Sequence, residues 1–100
     1  MAEKRLIEIL EKLRKMMPVL RAQYDIKSLW VFGSHANGTA TKESDLDLLV
    51  DFDRRDFSLL GFIGLEQTLS DQLGLRVDLV DIAALRPEMK PFVEPQAVPV

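Results

Sequence analysis

Val31-Phe32-Gly33-Ser34, followed after ten residues by Asp45-Leu46-Asp47 at the head of the run Asp45-Leu-Asp-Leu-Leu-Val-Asp-Phe52, is the stretch on which the reading of this chain turns. The apolar, β-prone residues that lead to Phe32 stop at Gly33, where a glycine lets the backbone bend or come close to a ligand, and Ser34 adds a hydroxyl. Past the bend, a period-2 alternation over about Asp45 to Phe52 puts Asp45 and Asp47 on one face of a second strand. A bend that suits phosphate and a pair of carboxylates belong together in nucleotide and metal chemistry.

On the N-terminal side, Leu6, Ile9, Leu10, Leu13, Met16 and Met17 recur at spacings of three and four between charged residues, which predicts an amphipathic helix ending near Pro18. A connection through Tyr24 and Asp25 leads to a strand from about Ser28 to Phe32, with Trp30 and Phe32 read as core. The segment from Gly33 to Ser44 holds the turn and a short helix.

On the C-terminal side, Asp51, Asp53, Arg54, Arg55 and Asp56 read as a solvated charge run, and Ser58 or Asp56 caps the next helix. That helix runs from about Ser58 to Leu73 and ends at Gly74. Leu75 to Val80 is a third strand, and Asp81 caps a short helix from Ile82 to about Arg86. Pro87, Pro91, Pro95 and Pro99 then exclude a long helix. Phe92, Val93, Val98 and Val100 have no evident core position and read as an interaction surface. The expected fold is α/β (α+β): a small mixed sheet with helices packed on one face. Residues 1–100 form a single domain with a Pro-rich segment at 87–100.

Sixteen acidic against thirteen basic residues argue against a protein that mainly grips a nucleic-acid backbone. The absence of cysteine removes disulfides and thiolate metal sites, and no apolar run reaches the ~20 residues of a membrane span. A cytoplasmic protein is expected.

Asp78, between Val77 and Leu79, alternates out of the third strand and can join Asp45 and Asp47. Two carboxylates ~4 Å apart repel by about 4 kcal/mol at an effective dielectric near 20, so such a cluster needs a cation or a proton. Oxygen-only ligands favour Mg²⁺ or Mn²⁺, and Mg²⁺ shares its coordination with substrate phosphates. Backbone N–H groups around Gly33 and Ser34 can cradle those phosphates. Two ions would clamp an in-line displacement at phosphorus, with Asp78 placed to help deprotonate the acceptor hydroxyl. Each residue also has a plainer reading: a solvent-facing strand edge for Asp45 and Asp47, a turn glycine for Gly33, a helix cap for Ser34 and a surface residue for His35, the only histidine. The spacing of the two halves favours the site over those readings for Gly33, Ser34, Asp45 and Asp47, while for His35 the surface reading is preferred.

Gly33-Ser34, ten residues, Asp45-Leu-Asp47 and then the strand aspartate Asp78 resemble the DNA polymerase β-like nucleotidyltransferase superfamily, and within it the minimal, MntA-like group of bacterial and archaeal antitoxins. The resemblance extends over the leading helix, Asp-Leu-Asp-Leu-Leu-Val, the helix ending in Leu-Gly, Val-Asp-Leu-Val, and Leu85-Arg-Pro-Glu-Met-Lys-Pro-Phe-Val-Glu94. It implies a polymerase β palm-like fold and Mg²⁺-dependent transfer of AMP from ATP to a tyrosine of a HEPN-domain ribonuclease toxin, with homo-oligomers or hetero-oligomers with the toxin. Asp45, Asp47 and Asp78 would hold two Mg²⁺ ions, Gly33 and Ser34 the phosphates, with Lys42 and His35 as lesser phosphate contacts. This chain departs from the group at His35 and Asn37, where members commonly carry arginines, and at Pro99, where the usual tyrosine near the end is missing. Loss of guanidinium groups weakens a phosphate grip, so an antitoxin acting by binding and steric occlusion is the alternative. A small-molecule or polynucleotide acceptor fits less well, because no further domain is there to hold it.

Overall fold

A computed structural model describes residues 2–53 and 58–100. The chain runs α1 (Ala2–Tyr24), β1 (Ile26–Phe32), α2 (Ser34–Asn37), β2 (Leu46–Phe52), α3 (Leu59–Leu73), β3 (Val77–Asp81), a 3-10 turn (Ile82–Ala84), α4 (Lys90–Val93), a second 3-10 turn (Glu94–Gln96) and β4 (Val98–Pro99). The sheet order is β3-β2-β1-β4, with β1 antiparallel to both β2 and β4 and β2 parallel to β3. This is the mixed sheet expected, with one strand more. The β2-α3-β3 crossover supplies the parallel pair, and α3 packs with α1 on one face.

Alternation along β2 decides what each face carries. Leu46, Leu48, Val50 and Phe52 enter the main core with Leu13 and Leu20 of α1 and Leu65 and Leu69 of α3. Asp47 and Leu49 take the other face, where Leu49, Leu85 and Val93 form a second small cluster against Trp30, Phe32, Val80 and Ile82. Trp30 and Phe32 are thus half-buried packing residues, on the face away from α1 and α3. The C-terminal segment covers one half of that face, and the other half carries the candidate site.

Three expectations are corrected. The first helix does not end near Pro18 but continues to Tyr24. Proline removes one backbone bond, yet the buried stripe Leu13, Met17, Leu20 continues across it, and Pro18 itself is exposed. The third strand begins at Val77 and not Leu75, so Leu75 and Arg76 belong to its approach. Val93 is buried, and Val98 and Val100 pack on the main core, with Val98 set opposite Val31 and the Val100 N–H donating to Leu29 O at 2.9 Å. Of the four tail residues only Phe92 stays largely exposed.

Ser58 caps α3 by accepting from the Gly61 N–H at 3.0 Å, and Gly74 closes it in the left-handed conformation, φ 67°. Asp56, the other candidate cap, lies outside the described residues with Arg54 and Arg55. Asp81 caps the first 3-10 turn, its Oδ1 accepting from the Ala83 N–H at 3.0 Å. Among the described residues no helix is long and apolar enough to cross a membrane.

Candidate active site

Two strands and one bend bring the site together. In the parallel ladder Asp47 lies opposite Asp78, and in the antiparallel ladder it lies opposite Phe32, the residue before Gly33. Neighbouring strands stand ~4.8 Å apart, so Asp47 sits between the third carboxylate and the bend. Asp45 precedes β2 by one residue. Asp45 and Asp47 are half-buried and Asp78 is exposed.

Gly33 has φ 73° and ψ −150°, a region open essentially to glycine alone. A Cβ placed there would collide with the Asp47 carboxylate and lie 3.0 Å from its Cγ. The bend and the carboxylate are therefore in direct contact, and no other residue type fits between them. From Gly33 the chain turns into one helical turn, with the Ala36 and Asn37 N–H groups donating to Gly33 O at 3.1 and 3.0 Å.

Asp47 is held above the ordinary carboxylate range by its burial first, then by the negative charges of Asp78 and Asp45, against a smaller opposing effect of His35. Asp45 is partly balanced from outside the trio: Arg76 Nε lies 4.0 Å from its Oδ1. Lys42 is exposed in the loop before the carboxylates. His35 is not on the surface as its sequence context suggests. It is 3% exposed, because the single turn of α2 docks against α1, β1 and β2, and its Nε2 has no hydrogen-bond partner among the described residues.

The donor set is oxygen-only and anionic, and it gathers around one carboxylate whose charge is disfavoured; that is the chemistry of a divalent hard cation's ligands. As the side chains stand, no three acidic or imidazole groups among the described residues converge to metal-binding distance. The backbone register nevertheless keeps Asp47 and Asp78 adjacent. The residues fit Mg²⁺ in kind, and the register sets the two strand carboxylates side by side.

Residues 4–98 match the nucleotidyltransferase domain family. The chain belongs to that family. It is 42% identical over 93 residues to a Methanocaldococcus jannaschii protein assigned as a protein adenylyltransferase, covering 91% of this chain and 93% of that protein. It is also 48% identical over 67 residues to the protein adenylyltransferase MntA of Thermococcus cleftensis, covering 67% of each. A solved structure assigned as a minimal nucleotidyltransferase superposes with a TM-score of 0.77 at 38% identity, covering 93% of this chain and 94% of the other. A toxin-antitoxin crystal structure with AMP-PNP superposes with a TM-score of 0.73 at 26% identity, covering 86% of this chain and 69% of the other.

Within this nucleotidyltransferase domain, sequence reading passed over two cations at the same end of the sheet. Arg76 stands two residues before Asp78, and the period-2 rule that picks out Asp78 picks out Arg76 as well. Arg5 of α1 donates from Nη1 to Thr41 O at 3.4 Å in the loop that leads to Asp45, a long-range contact with no local signal.

Proposed function

We propose that this nucleotidyltransferase is an antitoxin that transfers AMP from ATP, with Mg²⁺, to a tyrosine hydroxyl of a HEPN-domain ribonuclease toxin and so silences it. The observation that carries the reading is the contact of Gly33 with Asp47 while Asp78 lies in register on the next strand. The relatives named as protein adenylyltransferases and the toxin-antitoxin complex with AMP-PNP support it.

In this mechanism the backbone N–H groups at Gly33 and Ser34 receive the distal phosphates, and Lys42 supplies a mobile positive charge beside them. Asp45, Asp47 and Asp78 would hold Mg²⁺, which neutralises the polyphosphate and stabilises charge on the attacking and leaving oxygens. The acceptor oxygen forms a bond to the α-phosphorus, the bond from that phosphorus to the β-phosphate bridging oxygen breaks, and pyrophosphate leaves. Asp78, on the outer strand, takes the proton of the acceptor hydroxyl. His35, buried in the helical turn that follows the bend, packs that turn onto the domain.

His35 and Asn37, standing where the resembling group carries arginines, favour a second reading in which binding alone neutralises the toxin. Incubation with Mg²⁺, α-labelled ATP and the HEPN-domain partner, followed by intact-mass measurement, tests the first. A mass gain of whole adenylyl groups on the partner is expected, lost in Asp45→Asn and Asp47→Asn variants that still fold. Undiminished transfer in both variants refutes the metal assignment. Neutralisation by those variants at parental strength establishes occlusion instead.

A further inference from the structure

The order β3-β2-β1-β4 leaves β3 with a neighbouring strand on one side only. An edge strand has every second backbone N–H without a ladder partner, and in this protein α3 meets those groups. The Leu46 N–H donates to Arg76 O at 2.8 Å, so the backbone of Arg76, and by alternation that of Asp78, is turned toward β2. Val77 and Leu79 are turned outward. The Val77 N–H donates to Ser70 Oγ at 3.1 Å, and the Leu79 N–H donates to Glu66 Oε2 at 2.9 Å. Ser70 Oγ in turn donates to Glu66 O at 3.0 Å, so its hydroxyl is used on both sides.

Helix and strand are commensurate here. Glu66 and Ser70 stand one turn apart on α3, a rise of about 6 Å, while Val77 and Leu79 stand two residues apart on β3, a rise of about 6.6 Å. The residue that the two ties bracket is Asp78. Its carboxylate is exposed, and among the described residues no hydrogen bond or ion pair fixes it. What the fold fixes is its backbone, held by the β2 ladder on the inner side and by Glu66 and Ser70 on the outer. Val77 and Leu79 enter the core shared with α3 and Asp78 takes the opposite face, so the action of Glu66 and Ser70 on its carboxylate passes through the strand.

We propose that Glu66, supported by Ser70, is a positioning residue of the nucleotidyl-transfer site, which keeps Asp78 level with Asp47 so that the two carboxylates can share a divalent cation. The inference rests on the adenylyl-transfer reading and deepens it by extending the site to a helix on the other face of the sheet. The tie to Glu66 is charge-assisted, the stronger kind of hydrogen bond, and it falls on the residue next to Asp78. The phosphate-binding bend follows β1, two strand spacings or about 10 Å from β3, and is left untouched.

Three variants test the proposal: Glu66→Ala, which removes the acceptor, Glu66→Gln, whose amide oxygen can still accept, and Leu69→Val, a trim of the core on the same helix. In Glu66→Ala the Leu79 amide should exchange with deuterium at least tenfold faster, and Mn²⁺ binding with ATP present, read by electron paramagnetic resonance, should weaken about tenfold. The Mg²⁺ concentration for half-maximal AMP transfer from α-labelled ATP to the HEPN-domain partner should rise in step. Glu66→Gln should stay within threefold of the parent in all three readouts. Leu69→Val should lose thermal stability and keep the parental Mn²⁺ affinity and Mg²⁺ requirement. Parental Mn²⁺ affinity in Glu66→Ala, a glutamine variant as impaired as alanine, or an equal loss in Leu69→Val overturns the positioning role. A parent that binds Mn²⁺ and ATP but transfers no AMP overturns the transfer reading instead, with amide exchange and Mn²⁺ affinity still deciding whether Glu66 positions Asp78.

Discussion

Gly33→Ala is the sharpest single perturbation of the site, because two separable penalties meet there. At φ 73° and ψ −150° any side chain is strained by the backbone alone, at a cost of about 1–3 kcal/mol. The new methyl would also overlap the Asp47 carboxylate. Gly74 provides the control: it also has positive φ, 67°, but a Cβ there meets nothing within 4 Å. Gly74→Ala should therefore cost only left-handed strain, about 1–2 kcal/mol, and Gly33→Ala more. For a domain whose whole stability is about 5–15 kcal/mol, either change is easily measured by urea denaturation.

The overlap term is isolated by a cycle with Asp47→Ala, which removes the carboxylate. Residues in contact couple by about 0.5–3 kcal/mol, so Gly33→Ala should be milder by that amount in the Asp47→Ala background. An identical cost in both backgrounds would show that bend and carboxylate do not touch. Adenylyl transfer and Mg²⁺-ATP binding should both fall in Gly33→Ala, since the two halves of the site are forced apart, whereas Gly74→Ala should leave both near the parental level.

Two further outcomes follow from the same geometry. Asp47 has its folded-state pKa raised, so its ionised form is disfavoured in the metal-free native state, and Asp47→Asn should be more stable than the parent at neutral pH. As pH falls through the raised value the parent recovers, and the gap closes by the ordinary value of 3.8; melting temperatures over a pH series in chelator read this. Mg²⁺ should raise the melting temperature of the parent and not of Asp47→Asn. A gap that widens on acidification would contradict the assignment of causes. Pro18→Ala should stabilise the protein by about 1–3 kcal/mol, because the helix already runs through an exposed position 18 and alanine restores a backbone N–H there. A destabilised variant would show that the proline-bearing turn is not ordinary helix.

Where sequence period and chain neighbours carried the information, the sequence was legible. Gly33, Asp47 and Asp78 come from strand alternation and a bend, and the ladders bring them together as expected. Ser58, Gly74 and Asp81 act locally, so their capping roles could be read from position alone. The misreadings involve long-range packing. Pro18 looked like a stop because local propensity was weighed without the core that α1 shares with α3. Val98 and Pro99 looked like tail because two residues make no periodic signal, and a proline is tolerated only at a sheet edge, which is where β4 lies. His35 looked exposed because one helical turn has no readable face; its burial comes from the packing of that turn against α1, β1 and β2.

The topology explains why the carboxylates stand where they do. In a β-α-β crossover both parallel strands begin at the same end, so residues second in each strand, Asp47 in β2 and Asp78 in β3, are level with each other. The antiparallel β1 ends where those strands begin and delivers Gly33 to that same end. α1 leads into β1 from the other direction, which returns its first turns, with Arg5, to the loop before Asp45. One end of the sheet thus gathers the bend, the acids and their flanking cations, while Leu49, Leu85 and Val93 close the opposite half of that face. Inserting a residue between Leu46 and Asp47 would invert the facing of both Asp45 and Leu46. Slipping the β2–β3 register by one would turn Asp78 into the helix-side core and leave Asp47 without its neighbour, so the pairing of Asp47 with Asp78 is tied to the same alternation that buries Leu46 and Leu48.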